Sequence, residues 1–182
     1  MDIFCQIKEK LNGQIIDETE NFYLLHDGYP LFEGHLLIIP KFHIRCFLEL
    51  NKKNYTEFSK LKLKVINFLK NNYRQPVLFE HGIAGQTVLH AHLHLLPTDI
   101  LITDELNKIG SIIKTPFMPY VYFEYGNKRI FIKPKIKIKP GLIHSYLYAR
   151  KLNRSQIGIE RAKELSKWLI SAKRKYLLWK NL

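Results

Sequence analysis

The chain has 182 residues, 46% of them hydrophobic and 13% aromatic, which suits one globular domain with a real core and excludes a disordered or fibrous chain. No apolar run approaches the roughly 20 residues that cross a bilayer, and two cysteines, Cys5 and Cys46, are too few for a disulfide framework. The formal charge of +13 fits a polyanionic partner, nucleic acid or a phosphate-rich small molecule, and fits equally well the lysine-, asparagine- and isoleucine-rich bias of an AT-rich genome.

The opening "MDIFCQIKEK" lacks a basic segment followed by a long apolar one, so it does not read as a signal peptide. A reducing, cytoplasmic setting is the expectation. Residues 21–27 ("NFYLLHD") and 35–40 ("HLLIIP") read as strands, short apolar runs bounded by turn residues. Gly28, Pro30 and Gly34 make a loop between them. A helix is expected over 51–70, with Phe58, Leu61, Val65, Phe68 and Leu69 on one face. Either Asn51 caps it or Asn54 pairs with Glu57. Two further strands, 76–82 and 87–97, flank a "GIAG" turn. Residues 119–133 read as a hairpin around Gly126-Asn127. The alternation in "KPKIKIKP" (133–140) predicts an edge strand with one wet face, or a basic strip that follows a phosphate backbone. A final helix is expected over 159–178, with Leu165, Trp168, Leu169, Ala172 and Tyr176 on one stripe. By composition, residues 1–99 form the core and 100–182 a basic C-terminal extension packed on the same domain.

Within 87–97 a histidine stands at every second position: His90, His92 and His94. Side chains alternate faces along a strand, so the three are expected on one face, with Ala91, Leu93 and Leu95 turned into the core. With 8 histidines in 182 residues, chance yields roughly 0.015 such triplets in a chain this long. Three chemistries fit. Imidazole ligates zinc, but His90 and His94 lie about 13 Å apart on a strand, so a metal needs ligands from elsewhere. Ring N–H groups bind phosphate. Finally, an imidazole that is largely neutral at pH 7 attacks phosphorus, with its neighbours orienting it and managing protons.

"HAHLHLL" resembles the histidine-triad (HIT) signature, His-φ-His-φ-His-φ-φ with φ apolar. The "GQTV" before it, "EGHLLIIPKFH" (33–43), "LLHD" (24–27) and "IFCQI" resemble further segments of the same family, in the same order. The resemblance implies an α+β fold, a HIT-like antiparallel sheet with packed helices, here carrying a C-terminal β-hairpin and helix extension. It implies a homodimer formed through helices and an edge strand, and a nucleotide hydrolase cleaving at the α-phosphate of purine nucleotides. By this resemblance His92 is the nucleophile that forms a nucleotidyl-histidine. His94 contacts the α-phosphate and helps the leaving group depart. His90 steadies His92 through its carbonyl, and His35 is a fourth histidine beside the triad. Asp27 binds ribose, and Gln86 and Thr87 lie near the phosphates. Histidine in the third position, where the transferase branch has glutamine, points to hydrolysis. Dinucleoside polyphosphates and nucleoside phosphoramidates are the expected substrates. An aprataxin-like deadenylase on nucleic-acid ends and a non-catalytic nucleotide-binding signalling module are the alternatives.

No cofactor and no metal is expected. Some members bind zinc through Cys-x-x-Cys near the N-terminus. Here Cys5 fits the second cysteine while Asp2 stands at the first, which leaves Cys5 and His43 as partial ligands. Phe79 stands where many members carry a substrate-touching asparagine or glutamine, and the neighbouring Glu80 and His81 are expected to alter recognition. His26, His43 and His81 otherwise read as surface or hydrogen-bonded structural residues, and nothing in the sequence gives His144 a role.

Overall fold

A computed structural model describes residues 2–152 and 160–181. A short 3-10 turn leads into α1 (Ile7–Lys10), followed by β1 (Ile15–Glu18), β2 (Phe22–His26) and β3 (Leu36–Pro40). Then come α2 (Lys52–Asn72), β4 (Val77–Glu80) and β5 (Leu93–Leu96). The second half adds α3 (Thr103–Ile109), β6 (Gly110–Ile113), β7 (Val121–Tyr125), β8 (Lys128–Pro134), α4 (Leu142–Leu152) and α5 (Glu160–Lys180). All strands join one antiparallel sheet in the order β1-β2-β3-β5-β4-β7-β8-β6. The fold is thus α+β, with the sheet running through both halves of the chain. β4 would be the edge of the first five strands, but β7 pairs with it over Val77↔Tyr125 to Glu80↔Tyr122.

Helix α2 forms because its apolar residues recur at helical spacing and Asn51 caps it, its side chain accepting from the Asn54 N–H at 2.9 Å. Glu57 instead takes the backbone and side-chain amides of Asn21 (2.9 and 2.7 Å), stapling the helix to the turn before β2. Phe58, Leu61, Val65, Phe68 and Leu69 are all buried against Phe22, Leu24, Leu36, Ile38, Leu93 and Leu95 on one sheet face. Each such side chain contributes about 1.5–3 kcal/mol on burial. Ala91, Leu93 and Leu95 point into this core as the alternation predicts. Helix α5 docks beside α2 through Tyr176 and Trp179, both in edge contact with Phe68. Its stripe from Leu165 to Tyr176 is half-buried or buried as expected. Residue 159, the predicted start of that helix, lies outside the described residues.

The opposite sheet face carries the other parity. Tyr23, Leu25, Leu37 and Ile39 meet Ile7 of α1. Val77, Phe79, Leu96, Val121 and Phe123 meet α3 and α4 through Ile102, Leu106, Ile143 and Leu147. This face holds the histidines.

Three expectations change. The strand at 87–97 shrinks to β5, because the backbone before it bonds elsewhere: His90 N–H to Val88 O (2.9 Å) and Ala91 N–H to Ile44 O (2.7 Å). The edge strand at 133–140 is absent beyond Pro134. Lys135 N–H turns to Ile109 O (2.9 Å), and Ile138 alone of the alternating isoleucines is buried, against Gly85. The sheet edge on that side is β6, which with β1, α1, α3 and α4 the sequence did not announce. The hairpin stands as expected, with β7 and β8 joined through a turn at Gly126 with φ +59°.

Candidate active site

β5 delivers His94, paired across the ladder with Leu37 on one side and Phe79 on the other. Its ring stacks on Phe79, centroids 4.2 Å apart and 12° from parallel. Phe79 therefore serves as a wall for His94 and brings no polar group of its own to the site. His94 Nδ1 lies 3.0 Å from His35 Nε2. The His35 Nδ1 accepts from the Leu31 N–H at 3.3 Å, so a neutral His35 carries its proton on Nε2. That proton faces His94 Nδ1 and Asp27 Oδ2, the latter 3.3 Å away. With Nδ1 accepting, His94 keeps its own proton on Nε2. Burial holds His35 down to about 3 and His94 well below the ordinary imidazole value, so both rings are neutral at pH 7.

His92 sits one residue before β5, where the backbone is free of the ladder. Its Nδ1 is 2.7 Å from the His90 carbonyl. That oxygen can only accept, so Nδ1 carries the proton and Nε2 carries a bare lone pair. Burial also lowers the His92 pKa, keeping the ring neutral. The His92 and His94 rings lie 5.0 Å apart, edge to face.

His90 departs from the expected row. Its Nε2–H donates to Pro40 O at 3.0 Å, and its ring turns from the other two toward the N-terminus. There Asp2, Cys5, His43 and His90 bring four ligand atoms within 4.8 Å of one another. Cys5 Sγ is 3.6 Å from both imidazole Nδ1 atoms and 3.1 Å from Asp2 Oδ2. A carboxylate, a sulfur and two imidazoles form a donor set that tetrahedral zinc accepts. Asp2 fills the place of the missing cysteine, and the fourth donor, His90, comes from the triad itself.

Asp27 is buried beside His35 and His94. Burial alone would raise its carboxyl. The N–H groups that face it, His35 Nε2–H at 3.3 Å and the Tyr29 N–H at 2.7 Å, outweigh that and hold it far below the usual carboxylate range. The Oδ2 face toward the histidines orients them, and Asp27 also lines the cavity.

That cavity, about 530 Å³, is of a size that takes a nucleotide-class ligand. One end is apolar, lined by Ile3, Phe4, Leu11, Leu25 and Leu37. From Phe4 the rings run to His92 (5.2 Å) and on to His94 (5.0 Å), with His144 and His81 5.6 and 6.4 Å from His94, and Gln14, Asp27, Gly28, Tyr29, Thr87, Val88 and Gly141 complete the lining. Thr87 is thus on the cavity wall. Gln86 is not: its Nε2 donates to Arg45 O at 2.7 Å, outside the cavity lining. Glu80 projects to the far face of the sheet. There it accepts from the Phe47 N–H at 2.9 Å, and burial raises it to about 7. It is not among the residues that line the cavity.

His81, expected to alter recognition, and His144, for which nothing in the sequence indicates a role, both line the cavity. His81 is neither a surface residue nor a hydrogen-bonded one: it is 4% exposed, and neither ring nitrogen has a partner among the described residues. His144, from the first turn of α4, has its ring 5.4 Å from His35 and 5.6 Å from His94. For His81 the signal lay in period two from Phe79, which puts both on the site face. For His144 no local signal existed.

A family model, the HIT domain, matches residues 8–100, a span that holds His35, His90, His92 and His94. The chain belongs to the HIT family. Among its HIT relatives, an uncharacterised HIT-like protein of Saccharolobus solfataricus is 31% identical over 135 residues, covering 71% of this chain and 95% of that protein. The adenosine 5'-monophosphoramidase HNT1 of Saccharomyces cerevisiae is 34% identical over 104 residues, covering 52% of this chain and 61% of that enzyme. The crystal structure of a hypothetical histidine triad nucleotide-binding protein from Sulfolobus tokodaii aligns with a TM-score of 0.53 over 98% of this chain and 94% of that one. At 23% identity it supports the HIT fold alone.

Proposed function

We propose that this HIT protein hydrolyses purine nucleotides at the α-phosphate, with His92 as nucleophile. One observation carries the reading: the His90 carbonyl accepts a hydrogen bond from His92 Nδ1–H, which leaves the Nε2 lone pair on a ring that lines the cavity. His92 Nε2 bonds to the α-phosphorus while the bond to the leaving group breaks. Water then attacks the same phosphorus, cleaves the P–N bond, and releases a nucleoside 5'-monophosphate. His94, with its proton on Nε2, offers a fixed donor to the phosphoryl oxygens as charge builds. His35, whose Nε2–H faces His94 Nδ1, holds His94 in that tautomer, Asp27 contacts ribose, and the apolar end takes the base. Thr87 lies by the phosphates. HIT family membership and the likeness to the yeast phosphoramidase support this class of chemistry.

Zinc on Asp2, Cys5, His43 and His90 would act structurally, pinning the N-terminal turn to His90 and so the carbonyl that orients His92. Dimerisation through an edge strand would have to use β1 or β6, since β7 occupies the outer side of β4. Among the described residues no helix is long and apolar enough to cross a membrane.

The test is label transfer from α-labelled nucleotides. Wild type is expected to take up acid-labile label and release it with turnover, and His92→Ala to take up none. Equal turnover by both would refute nucleophilic catalysis. A second reading, deadenylation of nucleic-acid ends, draws on Lys133, Lys135, Lys137 and Lys139, all exposed and leading directly to Gly141 at the cavity. It requires DNA binding whose affinity falls steeply with salt.

A further inference from the structure

The cavity has two chemically distinct ends, and only one matches a nucleoside. The apolar end, with Phe4 5.2 Å from the His92 ring, suits a purine. An attack by His92 on phosphorus expels the leaving group roughly in line, away from the nucleophile. With the base at the apolar end, the leaving group takes the other, bounded by His81, Thr87, Gly141 and His144.

Two imidazoles at that end keep hydrogen-bonding capacity for a ligand. His81 is buried with both ring nitrogens lacking a partner among the described residues, a costly arrangement that a bound ligand relieves. Burial keeps it neutral, so it offers one N–H and one lone pair. His144 Nε2 donates to the Tyr29 carbonyl at 3.2 Å, which in the neutral ring leaves Nδ1 as a second lone pair. The wall itself is close. Gly141 N–H donates to Gly85 O at 3.2 Å, and a Cβ at Gly141 would touch Thr87 Cγ2 at 3.9 Å. The start of α4 therefore limits the size of this end.

We propose that His81 and His144 form a leaving-group subsite that selects a compact group bearing N–H or O–H over a chain of further phosphates. The proposal rests on attack by His92 at the α-phosphate. Two lone pairs and one N–H suit an amine or hydroxyl, which donates. A polyphosphate brings only acceptors and negative charge, and meets lone pairs. The C-terminal extension thus adds specificity to the HIT core by carrying His144 into the site.

The experiment compares kcat/KM for two donors that share an adenylyl group, adenosine 5'-phosphoramidate and diadenosine tetraphosphate. The readout is their ratio, which does not depend on the fraction of enzyme folded. Wild type is expected to favour the phosphoramidate. His144→Ala and His81→Phe are each expected to lower the ratio about tenfold, the loss of one directed hydrogen bond. His81→Asn, which keeps a donor and an acceptor, is expected to restore much of it. An unchanged ratio in both His144→Ala and His81→Phe, or a wild type that favours the tetraphosphate, overturns the subsite. If wild type takes no acid-labile label from either donor, the nucleophile assignment fails instead, and the two failures are told apart by that label.

Discussion

Gly85 is one of the places where the second half of the chain packs on the first, and replacing it with alanine measures how firmly that contact holds. Its φ is +82°, and a Cβ there would lie 2.5 Å from Ile138 Cγ2 and 2.9 Å from the Lys139 carbonyl oxygen. The left-handed backbone costs an alanine about 1–2 kcal/mol. Ile138 is 7% exposed, and the Lys139 oxygen is backbone, so neither retreats freely. Overpacking of this kind costs about 1–3 kcal/mol. The total is about 2–5 kcal/mol, which in a chain of this size lowers Tm by roughly 5–15 °C. Two other glycines separate the terms. At Gly126, φ is +59° but no atom lies within 4 Å of a Cβ, so Gly126→Ala carries only the backbone cost, about 1 kcal/mol. At Gly13 a Cβ meets nothing, and no positive φ is imposed. Gly13→Ala is expected to be neutral or slightly stabilising. The assay is thermal and urea unfolding of the three variants beside wild type. If Gly85→Ala loses no more than Gly126→Ala, then Ile138 and Lys139 do not rest on the turn, and the extension is not packed as described.

Three further outcomes test the site. Nucleophilic attack needs neutral His92, and burial lowers its pKa. The label-transfer rate should therefore rise with pH on an acid limb that inflects below the ordinary imidazole value of about 6.5 and stay level above it. An inflection above that value would contradict the burial argument. Asp27→Asn removes the charge 3.3 Å from His35 Nε2 and 3.5 Å from His94 Nδ1. It should cut kcat/KM roughly tenfold to a hundredfold, the worth of one charged hydrogen bond, and steady-state kinetics with an adenylyl donor measures it. Finally, elemental analysis of the purified protein should find about one zinc per chain. Cys5→Ala should lose it and lower Tm, while protein that binds no zinc yet keeps full stability would refute the four-donor site.

Much of the first half was legible because its signals are local. The α2 stripe from Phe58 to Leu69 and the alternation of Ala91, Leu93 and Leu95 each state a burial pattern that the fold obeys. What misled was the same alternation carried too far. Period two put His90 in a row with His92 and His94, but the ladder begins only at Leu93. Ahead of it the chain answers to Ile44 and Val88 rather than to a neighbouring strand. The lysine-isoleucine alternation failed likewise, since Pro134 and Pro140 remove donors at both ends and the remaining backbone turns to Ile109.

The second half was less legible for a different reason: its part in the site is set by pairing at a distance. Nothing around His144 marks it, because its position depends on β7 finding β4, on Ile138 settling against Gly85, and on Gly141 bonding to the same residue. Each contact joins residues more than 40 positions apart. The triad segment needs no such help to orient its rings, since the His90 carbonyl that fixes His92 is only two residues away. On the proposed mechanism, nucleophile geometry and leaving-group geometry are therefore encoded separately, the first in a local turn and the second in a long-range dock. A lesion that loosens the dock should change which leaving groups are accepted before it changes whether His92 can attack.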